Sequence, residues 1–542
     1  MTEISFGRDG WSKMDPYKNN IADNNAAGRP QAPIMARTAT QELTDDFSLP
    51  DYKPEIRRLI SVTASVSPAA HYLTTGHAEF AGTVRYCIRY EGGDGGVWSA
   101  ELPSEYDLDL TTDNDPSFDT DGAVAYADVV CDSVNARVTA PRRLSIRTRV
   151  RADAAVLGKR TLDDVISGQA LPESDIRRLT ASSASAVVHR GTAEASEYSD
   201  TFMPDDGGEG EIRVICCRAE PFVSEAAITA DGVSVRGEIF ASVLLCRESE
   251  GARPFAAARR IPFVETVAAD GESGRTVGCR AWGDVTSAKA EPDGSGGIVC
   301  SFETVITAEV LTEENARYTA DIYSSSHETA STMRQCDIPT AIKSFNANMT
   351  VSGGAELSSL GADAGMRVVD AWAEALPPAG DKSPEDDAGF RIAGRLRVRA
   401  LLDDGANMTA KEFEIPFRYE PELPAECMPF VGGGYSEWRI GVPACRVRLD
   451  GERLAADCEV TVAARLCGRE KLTSVAETKV GDERAARRGS ICVYYPTSDD
   501  TLWSVAKRYG ADTASLAASN GIDPAAGPTD KLSACGVKFV IV

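Results

Sequence analysis

Histidine is scarce in this chain: His71, His77, His189 and His327 are the only four in 542 residues. The fourteen cysteines include no pair at C-x-x-C spacing. A structural zinc site needs clustered Cys and His, so none is expected. No G-x-S-x-G, H-E-x-x-H or G-x-x-x-x-G-K-[ST] occurs, which removes the common hydrolase, metalloprotease and P-loop signatures. Asp386-Asp387 and Asp403-Asp404 lie in polar, turn-like stretches and read as solvated loops. The expectation is a protein that is not an enzyme, with no catalytic, cofactor-binding or metal-binding residues.

Basic charge is also in short supply. Lys and Arg total 57 against 82 acids, a formal charge of −25. Phosphate backbones need cations, so a nucleic-acid partner is not expected. No eighteen apolar residues run together, which predicts no transmembrane segment. The segment Met1–Asp9 carries no apolar h-region, so no Sec signal is read and a cytoplasmic location is expected. In a reducing compartment, cysteines inside apolar strand patterns (Cys87, Cys246, Cys300, Cys458) read as small buried hydrophobes.

What is present is alternation and repetition. Leu144, Ile146, Thr148 and Val150 alternate with Ser145, Arg147, Arg149 and Arg151. Ile298, Cys300, Phe302 and Ile306 share one face, as do Cys458, Val460 and Val462, and Ile392, Leu396 and Val398 against Arg391, Arg395, Arg397 and Arg399. Period two with one apolar face is the mark of antiparallel sheets over a core. Glycine clusters at 91–96, 293–297 and 432–434 separate the strands.

The pattern recurs at long range. Pro50 and Pro204 follow similar residues 154 apart. Gly82, Gly237 and Gly394 sit in similar strands, 155 and then 157 apart. Ile261-Pro262-Phe263 and Ile415-Pro416-Phe417 follow their glycines, with prolines 25 and 22 residues on, and Leu102-Pro103-Ser104 is read as the equivalent, with its proline 21 on. The expected fold is mainly β: three tandem β-sandwich-like repeat domains followed by a small βααβ domain. The expected boundaries are a disordered arm (1–40), unit one (41–158), a linker (159–190), unit two (191–325), unit three (340–467), a charged tether (468–490) and the C-terminal module (491–542).

In that module Leu502, Val505, Ala506 and Tyr509 make one apolar helical stripe. Asp500 or Thr501 can cap its start and Gly510 its end. A second helix fits Asp512 to Ala518, with Leu516 and Ala517 inward and Asn520-Gly521 as its stop. The β-branched and aromatic run Val537–Val542 closes the unit as a strand. The stretch Tyr494–Gly510 resembles the first half of a LysM module, a fold that usually binds N-acetylglucosamine polymers such as peptidoglycan. Most such modules read Gly-Asp-Thr where this chain reads Asp499-Asp500-Thr501, and most close on a proline where this chain has Val542. The resemblance places the contact surface on two neighbouring loops, Ser498–Thr501 and Asn520–Gly536, represented by Ser498, Asp499, Asp500 and Thr501 and by Asn520, Gly521, Ile522 and Gly536. Trp503, beside Leu502, is expected to pack against the module's sheet.

Phe47-Ser48-Leu49-Pro50-Asp51-Tyr52-Lys53-Pro54-Glu55-Ile56, then Leu59-Ile60-Ser61-Val62, resembles the repeats called SPOCS or DUF3794. Together with the tail, residues 40–542 resemble the spore-coat morphogenetic proteins of endospore formers. That resemblance implies a scaffold in the mother-cell cytoplasm at the forespore surface, its LysM module docking a coat protein, a SpoIVA-like ATPase. The alternative is a peptidoglycan-binding protein at the spore cortex or cell wall. Asp499 in place of glycine puts a charge beside a neutral sugar and favours the protein partner.

Overall fold

The computed structural model describes residues 29–542, save 68, 75, 113–117, 206–207, 209, 249–252, 270–273, 377–389, 424–433, 486–490 and 524–526. The chain is mainly β, and its one helical region of note is the C-terminal module, with two short helices. Among the described residues no helix is long and apolar enough to cross a membrane.

Six of the seven sheets pair off around three apolar clusters. The sheets built on Arg143–Arg160 and His77–Gly92 enclose the first, around Phe80, Tyr86, Ile88, Leu144, Ile146 and Val150. Those on Ile298–Ser324 and Gly232–Arg247 enclose the second. Those on Arg453–Glu483 and Ile392–Asp403 enclose the third. The alternating faces read from sequence point as expected. Leu144, Ile146, Thr148 and Val150 are fully buried, as are Cys458, Val460 and Val462. On the opposite face of the third glycine strand, Arg395, Arg397 and Arg399 pair with Glu414, Glu374 and Glu412 on flanking strands.

The glycine echo has a steric cause. Gly82, Gly237 and Gly394 each lie directly across from an aromatic residue of the next strand: Tyr106, Phe263 and Phe417. A Cβ would stand 2.5 Å from Tyr106 Oη, 2.7 Å from Phe263 Cζ and 2.9 Å from Phe417 Cε1. The ring lies over the bare glycine and covers it, so no side chain fits there. This register corrects one reading. Across from Gly82, the place that Phe263 and Phe417 hold across from their glycines is held by Tyr106 of Ser104-Glu105-Tyr106, and Leu102-Pro103-Ser104 is displaced from it by two residues, with Pro103 opposite Arg85. The shared proline misled because the aromatic ring is the constrained element.

The same three sheets share further features. A bulge falls at Ile60, Ile215 and Val369, between Leu59 and Ser61, Val214 and Cys216, and Val368 and Asp370. These three residues gather in one apolar cluster with Leu244 and Leu401. Just before each bulge stands an arginine that reaches into another sheet pair. Arg213 donates to the Val97 carbonyl at 3.0 Å, Arg367 to Pro254 at 2.8 Å and Arg58 to Met408 at 3.1 Å.

A buried ionic cluster also joins all three pairs. Glu309, 1 % exposed, accepts from Arg280 at 2.6 Å and Arg465 at 3.1 Å. Arg465 also donates to Tyr126 Oη at 3.0 Å, and Tyr126 donates to Glu437 at 2.7 Å. Burial works to raise the Glu309 carboxyl, but Arg280, Arg465 and Arg190 outweigh it and hold it down to about 2.

Three expected segments are strands instead. Residues 31–40, taken as part of an arm, begin the strand Gln31–Ser48, which pairs with Arg143–Arg160; residues 1–28 lie outside the described region. The linker contains Val165–Gly168, which pairs in parallel with 477–480, and Ile176–Thr192, which pairs with Ile298–Ser324. Residues 468–483 of the charged tether are the second half of Arg453–Glu483, paired with His327–Glu356; its residues 486–490 lie outside the described region. Lys471 and Thr473 are exposed where Leu472 and Ser474 are buried, and around the bulge that follows Val475 and Thr478 are buried too. Charge density concealed that alternation.

Candidate functional site: the C-terminal module and its seat

The first helix, Leu502–Tyr509, starts at a capping box. Thr501 accepts from the Ser504 N–H, and the Ser504 hydroxyl accepts from the Thr501 N–H. Thr501, rather than Asp500, is thus the N-cap. Gly510 ends the helix at φ +64°, a left-handed conformation open to glycine at little cost. Asp512 caps the second helix, Thr513–Ser519, by accepting from Ser515 N. That bond is the first cause of its lowered carboxyl pKa. Leu502, Val505, Ala506, Leu516 and Val540 close the small core. The closing strand is shorter than the sequence run: Val540–Ile541 pairs with Val493–Tyr494.

The expected contact residues divide into two sets. The segments 498–501 and 527–533 lie side by side. Lys531 pairs with Asp499 at 2.8 Å, Ser533 donates to the Ser498 carbonyl at 3.2 Å, and Leu532 N donates to the Asp500 carbonyl at 3.0 Å. Thr501 forms an isolated β-bridge with Lys531. Ser498 and Asp499 are solvent-facing. Asp500 faces inward, 6 % exposed, and accepts from Tyr494 Oη at 2.6 Å and Thr497 N at 2.8 Å. Burial works to raise this carboxyl, but those bonds and Arg508 hold it below its ordinary range. Ile522 is buried too, 8 % exposed. Asn520 ties the second helix to the closing strand by exchanging bonds with Ile541. Gly521 and Gly536 are turn glycines at positive φ. The exposed face therefore comprises Ser498, Asp499, Lys531 and Ser533. Lys531 and Ser533 lie inside the expected loop Asn520–Gly536, but nothing in a linear reading singles them out, because the register between the loops is set by folding.

The opposite side of the module is occupied. Trp503, 7 % exposed, packs edge-on against Tyr323 at 4.9 Å between ring centroids. Its indole N–H donates to Asp321 at 2.8 Å, and Lys507 pairs with the same carboxylate at 2.6 Å. Tyr323 donates to the Ala511 carbonyl at 2.6 Å, and Arg177 donates to Asp512 at 3.0 Å. Trp503 thus packs on the long strand Ile298–Ser324 of the body, not on the module's own sheet. Its apolar ring with one polar edge suits an interface of this kind.

A capped two-helix unit on a two-stranded ladder, with two loops joined side by side, is the arrangement the tail resembles. Residues 497–526 match the LysM domain. No curated protein and no solved structure matches the chain. The LysM module thus presents its loop pair to solvent while its first helix and the following turn rest on the body.

Proposed function

We propose that this chain is a non-enzymatic scaffold in which a LysM module, held in fixed orientation on a β-rich body, binds an N-acetylglucosamine polymer such as peptidoglycan. The observation that carries this is the division of the module's surface: the loop pair around Asp499 and Lys531 is open, and the helix side is seated on Asp321 and Tyr323. A seated module transmits position to whatever it carries, without the slack of a flexible linker. We read the body as three copies of one β-sandwich unit closed in a ring. The support is the glycine–aromatic pair, the bulge and the outgoing arginine, each found in three copies, with the arginine bonds running from unit two to one, three to two and one to three.

A second reading is favoured by the Asp499–Lys531 ion pair, which puts charge on the loop face. In it the chain is a SPOCS/DUF3794-type scaffold for spore-coat assembly. It would act in the mother-cell cytoplasm at the forespore surface, and the loop face would dock a SpoIVA-like ATPase.

Co-sedimentation of the full chain with insoluble peptidoglycan, together with titration against N-acetylglucosamine oligomers, tests the first reading. Binding that is lost on Lys531→Glu with the module still folded supports it. No binding at millimolar oligomer overturns it, and saturable capture of a purified coat ATPase by the same face would then establish the second.

A further inference from the structure

Arg89 is fully buried and, among the described residues, has no carboxylate within hydrogen-bonding distance. Its Nε stands 3.3 Å from Cys216 Sγ, and its Nη1 stands 3.4 Å from Ser61 Oγ. A guanidinium cannot shed its proton, so its burial calls for an anion. Cys216 lies on the strand Ile212–Thr229, in a different sheet pair from Arg89. Cys87, two residues before Arg89 on His77–Gly92 and on the same face, packs against the apolar cluster that holds Cys216. Arg218 and Asp370 complete the charged surroundings: Arg218 donates to Asp370 at 2.7 Å, and Trp372 stands 4.5 Å from both guanidinium centres. Cys216 is pushed down to about 6 by the neighbouring Cys87 thiol first, with burial opposing and Arg89 and Arg218 adding to the fall. Cys87 lines a cavity of about 980 Å³, partly open to solvent, that also touches Arg218 and Asp370.

We propose that Cys87 and Cys216 form a peroxide-reactive dithiol that closes to a disulfide joining the first and second sheet pairs. The Cys216 thiolate attacks one oxygen of a hydroperoxide, breaking the O–O bond to give a sulfenic acid and hydroxide (or alkoxide). The Cys87 sulfur then attacks the sulfenic sulfur, and the leaving hydroxyl departs as water with the Cys87 proton. Two thiols lose two electrons and the hydroperoxide takes them. The cavity admits a molecule of that size to the Cys87 side. This inference rests on the body alone and is independent of what the LysM module binds.

The nearest competitor is Cys445 and Cys458, cross-strand partners with Sγ atoms 3.4 Å apart. No guanidinium hydrogen bond to either sulfur stabilises a thiolate there. The test treats the reduced full chain with stoichiometric hydrogen peroxide and maps disulfides by non-reducing digestion and mass spectrometry. The Cys87–Cys216 peptide is expected first, and Arg89→Leu is expected to slow its formation about tenfold. Since that variant can fail to fold, iodoacetamide labelling of the wild type supplies a second measure: Cys216 labelling should rise with pH around a midpoint near 6. A Cys445–Cys458 link appearing first, or Cys216 labelling only above pH 8, overturns the proposal.

Discussion

Trp503 and Lys507 share one acceptor in the body, the carboxylate of Asp321, at 2.8 and 2.6 Å. The two residues lie one helical turn apart, so one acid fixes both the position and the rotation of the first LysM helix. The module is seated by the helix that also forms its core, and its loop face is left to solvent.

Asp321→Asn should unseat the module without unfolding it. Hydrogen exchange across 502–512 is expected to rise while the far-ultraviolet spectrum holds. Trp503→Ala should go further, costing about 3–5 kcal/mol as a large buried aromatic is lost. Unchanged exchange in Asp321→Asn would mean the seat is held by the Tyr323 and Arg177 contacts without it.

Glu309→Gln removes the buried carboxylate that Arg465 and Arg280 share and leaves them the half-buried Glu437. Losing one member of a buried ion cluster costs about 3–5 kcal/mol. A matching drop in thermal midpoint is expected, with Glu414→Gln, on an exposed pair, changing little.

Two acids give opposite pH signatures. Glu309 is held down to about 2, so its contribution is present above its ordinary range near 4.5 and is lost as pH falls from there toward 2. Glu220 is pushed up to about 7, first by burial and then by Asp284. Its folded state prefers the proton, so stability falls as pH rises from about 4.5 through 7. Glu220→Gln should therefore raise the melting temperature at pH 8 and barely alter it at pH 4. Equal shifts at both pH values would contradict this. Glu220 is exposed, yet its carboxyl sits among protein groups lining the partly open cavity, so solvent screens it only in part.

Gly237→Ala places a Cβ 2.0 Å from the Phe222 carbonyl and 2.7 Å from the Phe263 ring. Overpacking of this kind costs about 1–3 kcal/mol or more. Gly394→Ala meets only its ring closely, at 2.9 Å, and should cost less. Urea midpoints of the two variants should rank in that order.

The sequence by itself determined the strand faces, the helices of the LysM module and their caps. Each is a local matter: Leu144 and Ile146 share a face because side chains alternate, and Thr501 and Gly510 end a helix through their own backbone neighbours. Long-range partners were decided by the tertiary structure alone. That Tyr106, and not Ser104, answers Gly82 follows from register between strands. The charged run 468–483 is a strand because Leu472 and Val475 find a core in another segment. Lys507, on a helix face that reads as solvent, meets Asp321 because packing brings together residues far apart in the chain. The Arg89–Cys216 pair is illegible in sequence for the same reason: each residue is ordinary in its own strand, and the requirement for an anion appears only when burial removes water from the guanidinium.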